Sequence, residues 1–143
     1  NTFNAFLQGL DHDLNKTLDR FAALVTRGAD DERRDLKLYR TLTSSCALPP
    51  PEQLIASLEL LKQINNVSVL TQIRLPVLKL FAQRDALVPA AAAEETAMLN
   101  DHLQVRLIEG ASHIPWLSRP AQVLDYLIGF CGVYGVLGSD SDV

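Results

Sequence analysis

Residues 77–89 read VLKLFAQRDALVP, and this stretch decides the fold. Its first six residues form a nearly unbroken apolar run, which is typical of a parallel strand buried on both faces. Asp85 follows that run at the place where an open parallel sheet presents its catalytic loops. A second apolar run, residues 105–108, is followed by His113 in the sequence GASHIP. The pattern predicts an α/β protein with an acid and a histidine at the carboxyl edge of its sheet.

An acid followed by a histidine is the second half of the Ser…Asp…His chain order that α/β-hydrolases use. In such a triad the carboxylate accepts the Nδ1 hydrogen of the imidazole, and the histidine takes the proton of a serine hydroxyl. We therefore interpret Asp85 and His113 as the catalytic acid and base. Taken singly, Asp85 is also typical of a turn or helix cap, and His113 of an ordinary loop. Their joint occurrence in the right loops and order favours the catalytic interpretation.

The sequence contains no nucleophile motif to complete this pair. No G-x-S-x-G occurs in the chain, and Ile114 stands where the second glycine of such a motif would follow Ser112. Ser112 also adjoins His113, so the two side chains cannot easily make the hydrogen bond that activation requires. We expect the serine and the oxyanion donors to lie upstream of Asn1.

Composition limits the possible classes of protein. The 143 residues suffice for one domain, and 48% hydrophobic with 21% charged residues is typical of a globular protein rather than a disordered one. The net charge of −4 gives no case for nucleic acid as a partner. No apolar run approaches the ~18–20 residues of a membrane span, so no membrane partner is expected.

Cysteine and histidine usage gives no sign of a disulfide framework or a metal site. Cys46 and Cys131 are too few for a disulfide framework, which favours free thiols and the cytoplasm. His12 and His102 show no metal-ligand spacing, and no glycine-rich phosphate loop is present. We therefore predict no metal and no cofactor.

Hydrophobic periodicity predicts a helical first half. An amphipathic helix is expected over residues 3–26, with Gly28 as its stop and Asp30 or Asp31 as the cap of the next helix. That second helix should run to about Thr43, and a third should cover 51–64 after three prolines. The third helix is expected to bury Leu54, Ile55, Leu58, Leu61 and Ile64. Residues 89–99 should be helical between the strands, and residues 120–131 should form a closing helix that bears Val123, Leu124, Leu127 and Ile128.

Three regions follow from this reading. Residues 1–70 are expected to form a helical lid, residues 71–132 part of an α/β core, and residues 133–143 a flexible tail. Because two strands alone make a poor sheet, we expect the core to be the edge of a larger parallel sheet whose first strands are absent. Such an edge should associate with the missing half or with a second copy of the chain.

The chain resembles the second half of an α/β-hydrolase, and most closely the esterases that cleave pimeloyl-acyl-carrier-protein methyl ester in biotin synthesis. The acid and histidine segments specify only the superfamily, whereas the lid points to this family. The resemblance spans about residues 3–131 and rests on residues 14–24, 58–62, 85–89, 113–115 and 118–120.

This resemblance implies roles for individual residues. Asp85 and His113 would be the triad acid and base, and the helices of residues 3–64 would form a V-shaped lid over an acyl pocket. Four basic lid residues would receive the acidic acyl carrier protein, namely Lys16, Arg20, Arg33 and Lys37. Two of the four are lysines where a member of the family has arginine, so a point charge replaces a bidentate fork.

Two other interpretations stay open at this stage. The parent could be a general small-molecule carboxylesterase of the same superfamily, in which the basic face is an ordinary solvated helix surface. The chain could also be a module without catalysis that acts by binding alone. A G-x-S-x-G upstream of Asn1 would support either esterase, and its absence would support the binding module.

Overall fold

The computed structural model describes residues 2–134. Along this part of the chain, five helices precede the first strand, one helix separates the two strands, and two helices follow the second strand. The bounds are α1 Thr2–His12, α2 Leu14–Thr26, α3 Glu32–Thr43, α4 Pro51–Gln63, α5 Val67–Gln72, β1 Val77–Ala82, α6 Ala91–Ala97, β2 Leu103–Ile108, α7 Pro115–Ser118 and α8 Pro120–Val133. No helix among these is long and apolar enough to cross a membrane. The predicted tail beyond Tyr134 lies outside the described residues.

The two strands are parallel neighbours, as expected from the apolar runs. Val77 pairs with Leu103 and Ala82 with Ile108, so the strands end level with each other. The crossover between them contains α6, which packs on β2. Ala82 and Ile108 form the core of this region with Ala111 and Val123, and Leu80 and Tyr126 pack against it. The α/β architecture is therefore confirmed.

The prediction of one helix over residues 3–26 is wrong, because the chain bends at Asp13. The Asp13 backbone is non-helical, and its carboxylate accepts a hydrogen bond from the backbone N–H of Lys16 at 3.0 Å, which caps α2. The bend folds α1 back onto α2. Phe6 then stacks against Phe21 with ring centroids 5.1 Å apart. The apolar periodicity continues through the bend, so the sequence pattern did not indicate that the helix is interrupted.

The remaining helix boundaries agree closely with expectation. Asp31 caps α3 by accepting from the backbone N–H of Arg34, and Gly28 ends the preceding helix with φ of +89°. The helix predicted over 51–64 is α4. Two short helices, α5 and α7, were not predicted, since their six and four residues are too few to establish a period.

Burial differs from the sequence prediction in three elements. β1 is half-buried except at Ala82, rather than buried on both faces, because only one strand and few helices flank it. In α4, Leu61 and Ile64 are exposed while the rest of the expected stripe is half-buried. In α8, only Val123 of the expected stripe is buried, and Leu124, Leu127 and Ile128 are exposed.

Candidate active site

Asp85 lies in the turn that follows β1, and the backbone of that turn fixes its carboxylate. Oδ1 accepts hydrogen bonds from the backbone N–H groups of Leu87 at 2.7 Å and Val88 at 3.0 Å. Only 8% of the side chain is exposed. The second oxygen, Oδ2, is left to point away from the turn, and it is this oxygen that meets His113.

His113 lies in the loop that follows β2, beside Asp85. Its Nδ1 and the Asp85 Oδ2 are 2.8 Å apart, and since an ionised carboxylate only accepts, Nδ1–H donates. Within residues 2–134, no hydrogen bond engages Nε2, and a third of the His113 side chain is exposed. The imidazole is therefore held by the acid at Nδ1, while Nε2 has no hydrogen-bond partner among the described residues.

The two loops are fastened to each other through main-chain and amide groups. The backbone N–H of Arg84 donates to the carbonyl of Ala111 at 3.0 Å, and that of Gln83 to Ile108 at 3.0 Å. The Gln83 side-chain oxygen in turn accepts from the N–H of Gly110 at 3.1 Å. These bonds hold the residues on either side of the acid–histidine pair at a fixed separation.

Ser112 is placed where it cannot attack a substrate. Its side chain is fully buried, and its Oγ has no hydrogen-bond partner in the described part of the chain. Its backbone N–H donates to the hydroxyl of Ser118 at 3.4 Å. The geometry agrees with the rejection of Ser112 as a nucleophile.

The helices of the first half pack on the histidine loop from one side. Val25 of α2 forms a buried cluster with Ile114 and Leu117, and Phe21 and Tyr39 pack against it. Burial there raises the pKa of the Tyr39 phenol, which keeps it neutral. The position of His113 thus depends on α2 and α3 as well as on the sheet.

A buried acid strengthens this packing. Asp35 of α3 is 1% exposed and pairs with the Arg34 guanidinium at 3.0 Å. The same guanidinium donates to the carbonyl of Leu117 at 3.4 Å. Sequence patterns did not single out Asp35, because an acid in the first turn of a helix is common for reasons unrelated to burial.

A second polar cluster joins the turn between α2 and α3, residues 27–31, to the loops that carry Asp85 and His113. The Asp30 carboxylate accepts from Arg84 at 2.7 Å through one oxygen and from Arg119 through the other. The pKa of Asp30 lies below its usual value of 3.8, chiefly because Arg119 donates a hydrogen bond to the carboxylate. The positive charges of Arg119 and Arg84 lower it further. Sequence reasoning considered Asp30 only as a possible helix cap and missed this role.

The four basic residues expected to bind a partner lie on exposed helix surfaces. Lys16 and Arg20 are one turn apart on α2, and Arg33 and Lys37 one turn apart on α3. None of the four forms an ion pair with another residue of the described region. Their charges are therefore not neutralised within this part of the chain.

Two of the four basic residues line an open cavity on α3. It has a volume of about 550 Å³, and its lining consists of Arg33, Leu36, Lys37, Arg40, Thr41 and Ser44. Arg40 also pairs with Asp19 and so links α3 to α2. Arg33 and Lys37 thus share one face of α3 beside this shallow depression, whereas Lys16 and Arg20 stand outside its lining.

Among the described residues, no group of three or more His, Cys, Asp and Glu side chains could hold a metal ion. Cys46 and Cys131 are free.

The chain is similar in sequence to several esterases that share one name. The chain is 37% identical over 128 residues to the pimeloyl-acyl-carrier-protein methyl ester esterase of Xanthomonas oryzae pv. oryzae, covering 90% of this chain and 51% of that protein. It is 33% identical over 116 residues to the esterase of the same name from Salmonella newport, covering 81% and 45%. The Vibrio atlanticus esterase of that name is 29% identical over 130 residues, covering 91% and 50%. The chain thus spans about half the length of the curated relatives it matches.

Among solved structures, the crystal structure of bromoperoxidase from Bacillus anthracis superposes with a TM-score of 0.78 at 20% identity. That likeness covers 92% of this chain and 48% of the other, and it shows the fold. No protein-family model matches the chain.

Proposed function

This chain belongs to the α/β-hydrolases and is related over nine-tenths of its length to pimeloyl-acyl-carrier-protein methyl ester esterases, and from that premise we propose that it is part of a serine carboxylesterase. The proposed substrate is the methyl ester of an acyl chain carried by acyl carrier protein, in the synthesis of a biotin precursor. The proposed compartment is the cytoplasm. In this proposal residues 1–70 are the lid, 71–132 belong to the hydrolase core, and 133–143 are a tail.

The observation that carries the proposal is the 2.8 Å hydrogen bond between Asp85 Oδ2 and His113 Nδ1 at the carboxyl ends of two parallel strands. In the proposed mechanism Asp85 orients the imidazole and stabilises its protonated form. His113 Nε2 accepts the serine proton as the hydroxyl attacks the ester carbonyl, and then returns it to the leaving methoxide. Water repeats the cycle to release the acid.

The proposed nucleophile is a serine in a longer parent protein. The relatives are about twice as long as this chain, and Ser112 is buried beside His113. We infer that a G-x-S-x-G elbow and the oxyanion donors precede Asn1 in the parent, and that this chain alone has no esterase activity.

The proposed partner is acyl carrier protein, the acidic protein that the esterases of the resembled family receive on their lid. Lys16, Arg20, Arg33 and Lys37 are exposed and without acidic partners among residues 2–134, so their charges are available to carboxylates on another molecule. Such a contact would be largely electrostatic and would weaken with salt, since the Debye length is about 10 Å at 0.1 M.

The experiment that tests the catalytic part measures ester turnover by the parent. We expect p-nitrophenyl butyrate hydrolysis to fall by about 10⁴-fold in His113→Ala and by a similar order in Asp85→Ala, because the base and its orienting acid are lost. The matched controls are His102→Ala and Asp101→Ala, two exposed residues near the other end of β2, which should leave turnover unchanged.

Three outcomes would contradict the proposal in different ways. Turnover by the 143-residue chain alone that is lost in His113→Ala would place a nucleophile within it. Equal turnover of all four parent variants would remove Asp85 and His113 from the mechanism. Turnover of small esters with none of carrier-bound methyl esters would favour a general carboxylesterase.

A further inference from the structure

The turn between α2 and α3 touches the loops of both proposed catalytic residues at one carboxylate. Asp30 Oδ1 accepts from Arg84 Nη1 at 2.7 Å, and Asp30 Oδ2 accepts from Arg119 Nη2. Arg84 is the residue immediately before Asp85. Arg119 follows His113 and donates through Nε to the carbonyl of Glu109 at 3.2 Å, back across the loop that carries the histidine.

Two glycines make this approach possible. Gly110 has φ of +65°, and a Cβ there would come within 2.5 Å of the Arg119 guanidinium and 3.0 Å of the Asp30 carboxylate. Gly28 has φ of +89°, and a Cβ there would overlap the carbonyl oxygen of Arg84. The backbone is thus shaped on both sides of the carboxylate to let the three charged groups meet.

The arginines act at the same time on the acid–histidine pair. Arg84 is bound on both sides, because its side chain reaches Asp30 and its backbone N–H donates to Ala111 in the histidine loop. A shift of Arg84 would therefore move Asp85, its chain neighbour, relative to His113. Arg119 holds the far end of the same loop through Glu109.

We propose that Asp30 is a positioning residue, whose carboxylate bridges Arg84 and Arg119 and thereby holds the Asp85 loop, the His113 loop and the α2–α3 turn in one arrangement. Its importance for ester hydrolysis rests on the proposed function, whereas the positioning itself does not. The bridge also gives a physical connection between the basic helix surfaces, at either end of this turn, and the reacting pair.

A simple surface ion pair would not do this. Asp30 is about half exposed, and isolated exposed pairs contribute little to stability. The chain supplies such a pair as a comparison, since Asp19 and Arg40 join α2 to α3 with similar exposure but contact neither loop. Comparing the removal of the Asp30 carboxylate with the removal of the Asp19 carboxylate therefore distinguishes a positioning effect from the effect of an ordinary surface charge.

The test is amide hydrogen exchange and imidazole NMR on the full 143-residue chain, comparing Asp30→Asn, Arg119→Gln and Asp19→Asn. We expect exchange of the Arg84 amide to accelerate about fivefold in the first two variants. The downfield Nδ1–H resonance of His113 should broaden or disappear in both. Asp19→Asn should match the unmodified chain, and Asp30→Glu, which keeps the carboxylate, should restore part of the protection.

The results that overturn the proposal are specific. In one such result, Asp30→Asn and Asp19→Asn have the same Arg84 exchange rate and the same His113 resonance. Asp30 would then act only as a surface charge, without a positioning role. Acceleration spread evenly over all helices in both Asp30→Asn and Arg119→Gln would show a general loss of stability instead of local positioning. Neither measurement uses ester turnover, so an inactive parent would leave this test decisive.

Discussion

At the scale of single residues, the site depends on backbone conformations that only glycine adopts at low cost. Gly28 and Gly110 both have positive φ, and both lie against the charged groups around Asp30. A side chain at either position would face two penalties, the left-handed backbone and the occupied space. Glycines in α8 face neither, since nothing lies within 4 Å of a Cβ built at Gly129.

These environments predict opposite effects of the same substitution. Gly28→Ala should lower the free energy of unfolding by more than about 1 kcal/mol, because alanine cannot relieve the overlap with Arg84 without moving the loop. Gly129→Ala should raise it by roughly 0.5–1 kcal/mol, since glycine is costly inside a helix. Urea denaturation of both variants measures the difference. A Gly28→Ala protein as stable as the unmodified chain would contradict the geometry described here.

The lowered pKa of Asp30 predicts how acid acts on the bridge. Because folding lowers the pKa of this carboxyl below 3.8, the unfolded chain takes up the proton first. Asp30 therefore adds stability above pH 3.8, and the contribution is lost as the pH falls through the folded-state pKa. Urea denaturation should show the unmodified chain more stable than Asp30→Asn at neutral pH and the gap closing below pH 3.8. A gap that grows on acidification would contradict this assignment.

The proximity of Asp85 and His113 could be predicted from the sequence. Asp85 and His113 follow their strands directly, so the rule for parallel sheets was enough to expect them at one edge. The Asp30 bridge could not be predicted in this way. It joins residues 54 and 89 positions apart, and only the packed arrangement of the turn and both loops makes them neighbours.

At the scale of elements, α2 and α3 each begin at an aspartate cap. Asp13 and Asp31 each accept from the backbone N–H three residues on, and each starts a new helix. The sequence predicted the second cap at Asp30 or Asp31, because Gly28 indicates a break before it, and the structure has it at Asp31. It missed the first, because no glycine or proline separates α1 from α2.

We predict that Asp31→Ala lowers the free energy of unfolding by about 0.5–2 kcal/mol, since α3 then has an N–H without its side-chain partner. Asp11→Ala is the matched control. Asp11 is an exposed aspartate in α1 that caps no helix in the described part of the chain. Circular dichroism during thermal unfolding measures both. Equal loss in the two variants would mean that charge, rather than capping, is responsible.

The basic surfaces of α2 and α3 carry the prediction about the partner. In the parent, the double reversal Arg20→Glu with Lys37→Glu should raise KM for acyl-carrier-protein methyl esters and leave kcat on a small free ester nearly unchanged, because Asp85 and His113 are untouched. Two reversals are needed, as one exposed charge pair contributes only ~0.2–1 kcal/mol.

The matched control reverses two exposed cations outside α2 and α3, Lys62→Glu in α4 with Arg74→Glu in the loop before β1, and makes the same change in net charge. It should leave KM for the carrier-protein substrate close to that of the unmodified parent. An equal rise in KM for both pairs would indicate net charge rather than a docking surface. Equal loss of turnover on both substrates would indicate damage to the fold.

At the scale of the whole molecule, the apolar surface exceeds what two strands can cover. The face of α8 that periodicity marked as buried is largely exposed, with Leu124 at 55%, and at the end of α4 Leu61 is 63% exposed. Periodicity reports which face a helix turns toward a core, but it does not report whether that core is present in the chain. In the proposed parent, further strands and helices would lie against these faces.

The exposed face of α8 therefore predicts association of the chain on its own. At tens of micromolar, where exposed apolar surfaces associate, light scattering should give a mass above the 15.8 kDa of one chain. Leu124→Glu with Ile128→Glu places two charges one turn apart on this face and should restore the mass of a single chain. Leu48→Glu with Met98→Glu adds the same charge at two scattered exposed positions and should not. A single-chain mass for the unmodified protein, with no binding of a dye that reports apolar surface, would mean that these faces are covered within the chain and that no missing half is needed to cover them.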